Sequence, residues 1–116
     1  MATYMFLLYN GSNDFDGVSP EDMQGVIERY RAWEDSLEKS GNLIGSEKLV
    51  DEEGRVLRSD QGNITITDGP FSETKELIGG YFAIRAENYD EAVELAKGCP
   101  HLDFGTLEIR AIDELH

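Results

Sequence analysis

Cysteine is nearly missing from this chain of 116 residues, and the single Cys99 excludes an intrachain disulfide and the disulfide-stapled secreted scaffolds. Long apolar runs are missing as well. No stretch approaches the roughly 20 residues needed to span a bilayer, and the N-terminus shows neither a basic patch with an extended apolar run nor a small-residue cleavage site. A cytoplasmic protein with no membrane partner is expected. Positive charge is scarce: 10 Lys and Arg stand against 24 Asp and Glu, a net charge of −14 that repels phosphate backbones and anionic surfaces, so nucleic acid is excluded as a direct partner. Histidine is equally scarce. His101 and His116 have no neighbours at metal-ligand spacing, so neither a metal nor a cofactor is expected, and both are predicted to be exposed.

What is present suits one domain over 1–116 with a modest core. Thr3 to Tyr9 is apolar on both alternating faces, with Tyr4, Phe6 and Leu8 on one and Met5, Leu7 and Tyr9 on the other, the pattern of a central strand covered on both sides. Ser19-Pro20-Glu21-Asp22 opens a helix with a capping hydroxyl, a first-turn proline and acids at the positive end of the dipole. Met23, Val26, Ile27, Tyr30, Trp33 and Leu37 recur at helical spacing until Gly41 stops the run. Leu43 to Val50 and Arg55 to Ser59 are strand-like, with Asp51-Glu52-Glu53-Gly54 predicted as the hairpin turn between them. Ile64 to Thr67 is a further short strand. Gly79 to Ala86 alternates Phe82, Ile84 and Ala86 against Tyr81, Ala83 and Arg85. Asn88 caps a second helix that packs Ala92, Val93, Leu95 and Ala96 inward and ends at Gly98 and Pro100. Thr106 to Ile112 closes the chain with Leu107, Ile109 and Ala111 against Glu108, Arg110 and Ile112. This order is α+β, two helices on one face of an antiparallel sheet with an inserted hairpin region: βαββαβ, a ferredoxin-like subunit. Two helices cover only one sheet face, so a homodimer that packs the other faces together is expected.

The stretch Asp68-Gly69-Pro70-Phe71 is a tight turn on physical grounds. The Asp carboxylate bonds nearby backbone N–H groups, Gly tolerates positive φ, and Pro presets φ. Together with Glu73-Thr74-Lys75-Glu76, Gly79-Gly80-Tyr81, Cys99-Pro100 and Glu108-Ile109-Arg110, it resembles the DGPF-domain branch of the YCII-related proteins, nearly end to end. The resemblance implies a bacterial ferredoxin-like subunit that pairs into a dimeric α/β barrel. It also implies an accessory or regulatory role beside sigma factors of the extracytoplasmic-function type. In related proteins a histidine in the first helix is proposed to act with an aspartate. The matching position here is Tyr30, so that dyad is absent.

Alternation places Tyr81, Arg85, Glu108 and Arg110 on the sheet face away from the helices, where charges need partners. Asp68, Glu73, Lys75 and Glu76 arrive from the turn segment to supply them. Two readings stand. One is an ion-pair network that clamps the turn to the sheet. The other is a polar cleft for a small polar ligand, lined by Lys75, Tyr81, Arg85, Glu108 and Arg110, with Asp68 as the acid–base group of isomerase- or lyase-type chemistry. Ser72-x-x-Lys75 lacks the companion elements of a serine nucleophile site. Cys99, after a helix C-terminus where a thiolate is disfavoured, is predicted to be a small packing residue.

Overall fold

The structure is a computed structural model, and it describes residues 2–11, 18–50, 54–69 and 76–114. Strand β1 (Ala2–Gly11) buries Tyr4, Phe6 and Leu8 at period two, while Met5, Leu7 and Tyr9 on its other face are half-buried. Helix α1 (Pro20–Lys39) begins where Ser19 Oγ accepts the Asp22 N–H at 3.0 Å and ends before Gly41, which turns the chain at a φ of +82°. It presents Val26, Trp33 and Leu37 to the core.

Strands β2 (Leu43–Lys48), β5 (Glu76–Ala86) and β6 (Thr106–Ala111) join β1 in one antiparallel sheet of order β2-β5-β1-β6. Helix α2 (Tyr89–Ala96), capped by Asn88 Oδ1 on the Glu91 N–H at 2.9 Å, packs on the same face as α1. That is the ferredoxin-like arrangement, with β1 central as its two apolar faces require. The core lies between this face and the helices: Phe6, Leu8, Phe82, Ile84 and Ala86 from the sheet meet Trp33, Leu37, Ala92 and Ala96. Val93, expected inward, is instead exposed on the outer side of the short α2.

The expected hairpin between the second and third strands is corrected by the pairing. Strand β2 binds β5, while β3 (Gly54–Asp60) binds β4 (Asn63–Gly69) in a separate two-stranded sheet. The turn is Gln61-Gly62, with φ of +49° and +87°. Consecutive positive φ values are the type I′ geometry that matches strand twist, and Gly62 supplies one of them without steric cost. Residues 51–53 lie outside the described residues, as does the segment from Pro70 to Lys75. On β3 and β4, Leu57 pairs with Ile66 and Ser59 with Ile64, and all three apolar side chains are exposed.

Candidate functional site

The core does not fill the space between the first half of α1 and the sheet. A cavity of about 470 Å³ opens there, within the range of small-molecule sites. Its walls are Met23, Val26, Ile27, Tyr30, Arg31 and Glu34 from α1, Leu8 and Asn10 from β1, and Ser46 to Lys48 and Gly79 to Phe82 from the neighbouring strands. The helical spacing explains the first set, because positions three and four apart share a face.

A β-bulge shapes the second set. The β1–β5 register runs from Leu8 opposite Gly80 to Tyr9 opposite Ile78, leaving Gly79 as the extra residue. A Cβ on Gly79 would overlap the Asn10 side-chain amide, and one on Gly80 would come within 2.8 Å of the Glu47 carbonyl oxygen. The glycine pair thus lets Asn10 and β2 close in around the cavity.

His101 also lines this cavity, contrary to the expected exposure. The 3-10 turn Pro100–Asp103 rolls it inward until 3 % of its surface remains accessible. An ion pair from Arg29 Nη1 to Asp103 Oδ2, 2.9 Å long, ties the turn to α1 from outside. The hydrogen bonds of the buried ring are complete: Nδ1 lies 2.8 Å from Tyr30 Oη and Nε2 lies 2.9 Å from the Tyr9 carbonyl oxygen. A carbonyl only accepts, so Nε2 carries the hydrogen. Nδ1 of the neutral ring is then the acceptor of the Tyr30 hydroxyl. Gly105 makes the second bond feasible, because a Cβ there would overlap the Tyr9 carbonyl oxygen and come within 2.8 Å of Nε2.

Burial disfavours the charged phenolate of Tyr30 and raises its pKa well above the usual phenol range, with nearby Cys99 adding to the effect. Burial likewise pushes the Cys99 thiol up to about 11, so at neutral pH it is a protonated packing residue. The two charge signs of the cavity wall balance: Arg31 and Lys48 stand against Glu34 and Glu47, and Glu34 Oε1 accepts the Ser46 hydroxyl at 2.9 Å. The remaining wall is largely apolar.

Of the ligand-site residues expected from sequence that lie among the described residues, Tyr81 alone lines this cavity. Arg85, Glu108 and Arg110 stand on the opposite sheet face, registered against Thr3, Leu7 and Met5 of β1. There Glu108 Oε1 accepts the Tyr9 hydroxyl at 2.9 Å. Asp68 sits on β4 and meets Arg55 at 3.2 Å, across the hairpin and with both side chains exposed. The structure therefore places Asp68 with Arg55, and Arg110 in the other sheet; Lys75 lies outside the described residues. Exposed pairs of this kind contribute roughly 0–1 kcal/mol. Among the described residues no group of His, Cys, Asp and Glu could hold a metal ion, and no helix is long and apolar enough to cross a membrane.

The Tyr30–His101 contact spans 71 positions in the chain, and neither residue belongs to a local motif. The one available sequence signal was the resemblance, which implied a histidine at the helix position that Tyr30 occupies. Here an imidazole from another element hydrogen-bonds to the Tyr30 hydroxyl.

A family model described as the YCII-related domain matches residues 2–116. An uncharacterized protein of Rhizobium meliloti (strain 1021) is 29% identical over 112 residues, covering 94% of this chain and 90% of that protein. Among solved structures, the chain resembles 5-chloro-2-hydroxyhydroquinone dehydrochlorinase (TftG) of Burkholderia phenoliruptrix AC1100 in complex with 2,5-dihydroxybenzoquinone. There the identity is 16%, the TM-score is 0.47, and the alignment covers 96% of this chain and 93% of that one. At that distance neither substrate nor residue roles transfer.

Proposed function

The chain belongs to the YCII-related domain family, and from that premise we propose that it binds a small molecule in the cavity between α1 and the sheet and performs isomerase- or lyase-type acid–base chemistry on it. The observation that carries this reading is a cavity of about 470 Å³ whose wall includes the hydrogen-bonded pair Tyr30 and His101. Apolar walls with a few convergent polar groups and a perturbed ionisable group are the usual composition of such sites. The balanced charges of the wall favour a neutral ligand over a strongly anionic one.

Thermal-shift screening of small neutral molecules tests the reading. A binder at 100 times its dissociation constant adds about 2.7 kcal/mol of stability. Ile27→Trp, on the cavity wall at a position already 38% exposed, fills the cavity without emptying the core. The expected result is loss of that shift in the variant with its unliganded stability within about 1 kcal/mol of the parent. A shift that survives Ile27→Trp places the ligand elsewhere.

The same reading includes a homodimer in which two sheets pack face to face. It is supported by Met5, Leu7 and Tyr9, which form an apolar strip on the sheet face that neither helix covers. Tyr9 and Glu108 hydrogen-bond on that strip, so part of its polar content is matched before a partner arrives. Sedimentation equilibrium should return twice the chain mass of 13.0 kDa at micromolar concentration. The monomer mass there would rule the dimer out.

A further inference from the structure

We propose that Tyr30 is a proton shuttle between the cavity and His101, and that the two side chains together deprotonate a neutral carbon acid, a compact ketone with hydrogens on the carbon next to its carbonyl. This rests on the reading of the cavity as the ligand site and goes further in naming the base, the route and the substrate class.

The route follows from access. His101 is 3 % exposed and both ring nitrogens are engaged, Nε2 by the Tyr9 carbonyl and Nδ1 by the Tyr30 hydroxyl. A ligand therefore does not reach the imidazole lone pair directly. It meets Tyr30, which is half-buried on the cavity wall and whose oxygen keeps lone-pair capacity while its own hydrogen points at Nδ1.

The step balances without any other reagent. The C–H bond next to the ligand carbonyl breaks and its electron pair becomes the enolate. The proton passes to Tyr30 Oη as the tyrosine's own proton passes to His101 Nδ1. The products are an enolate, a neutral Tyr30 and an imidazolium whose Nε2–H still donates to the Tyr9 carbonyl. Return of the proton by the same path to a different atom of the enolate completes an isomerisation. Because burial opposes a free phenolate, the two transfers are coupled rather than sequential. The fixed Nε2–H tautomer keeps Nδ1 as the base in every cycle, a positioning function that Gly105 permits by its missing Cβ.

The substrate class follows from base strength and from the wall. An imidazole is too weak a base for an unactivated C–H bond, and an adjacent carbonyl supplies the acidity without adding charge. Leu8, Val26, Ile27 and Phe82 favour an apolar frame, and Arg31 and Lys48 opposite Glu34 and Glu47 leave no net charge to select an ion.

The probes are 2-indanone and 2-tetralone, neutral ketones of suitable size. Hydrogen–deuterium exchange at their α-carbons in deuterated buffer is followed by proton NMR, with amide shifts of Gly79, Gly80 and Phe82 reporting cavity occupancy. The native protein should accelerate exchange over buffer by about 100-fold, the lower end of what a positioned acid–base group contributes. Tyr30→Phe and His101→Gln should each remove that acceleration, and Tyr30→Phe should leave the ketone-induced amide shifts in place. Unchanged exchange in Tyr30→Phe overturns the shuttle, and so does a ketone that shifts the cavity amides without exchanging faster. Absence of any amide shift with both ketones overturns the ketone class and the relay with it, while a binder from the thermal-shift screen that Ile27→Trp abolishes would leave the cavity reading standing.

Discussion

Replacing Trp33 by alanine is expected to destabilise the fold by about 3–5 kcal/mol, a large share of the roughly 5–15 kcal/mol that holds a domain of this size together. Trp33 is the side chain through which α1 grips the rest of the molecule. It stacks near Phe6 of β1 with ring centroids 6.4 Å apart and meets Phe82 of β5 edge-on at 4.8 Å. Its Nε1–H donates to the Leu95 carbonyl in the last turn of α2 at 3.0 Å. Truncation would leave a hole between two strands and both helices. The surrounding rings cannot collapse into it without losing register against β1 and β5. Trp33 is the only tryptophan, so its fluorescence disappears with the substitution; urea unfolding should be followed by far-ultraviolet circular dichroism instead. A loss below about 1 kcal/mol would mean that the helix does not pack through this residue.

Gly105→Ala is expected to cost about 2–4 kcal/mol by combining overpacking with a broken buried hydrogen bond. The added methyl would overlap the Tyr9 carbonyl oxygen, which is backbone within the central strand and has little freedom to retreat. It would also crowd His101 Nε2, forcing the imidazole off that carbonyl and leaving a buried ring nitrogen unpaired. The same change should therefore disturb the tautomer of His101 as well as the stability. Long-range proton–nitrogen correlation NMR reads that tautomer directly, showing Nε2–H in the parent and a mixture or a shift in the variant. Unaltered stability together with an unaltered tautomer would mean that the turn after Asp103 yields without loss.

The sequence by itself determined what depends on local periodicity. Tyr4 to Tyr9 had to be a central strand because no face of it suits water, and β1 lies between β5 and β6. Ser19, Pro20 and Gly41 set the ends of α1 through capping and backbone conformation, which neighbouring residues decide. The ferredoxin-like order followed from those elements. Pairing of the hairpin did not, since β3 could be drawn against β2 or β4 from alternation alone, and only Gln61-Gly62 adopting a type I′ turn chose β4.

Tertiary structure alone decided the candidate site. Alternation separates Arg85, Glu108 and Arg110 from the core-facing Ile84, Leu107 and Ile109, because side-chain direction in a strand is a local property. What meets Asp68, and whether a histidine after Pro100 faces water or the core, depends on how separate elements dock. Docking joined Asp68 to Arg55 on the hairpin and carried His101 across 71 positions to Tyr30. A lone histidine in a loop carries no periodic signal. Its burial was set by the room that Gly105 leaves beside the Tyr9 carbonyl and by the Tyr30 hydroxyl waiting at the other nitrogen.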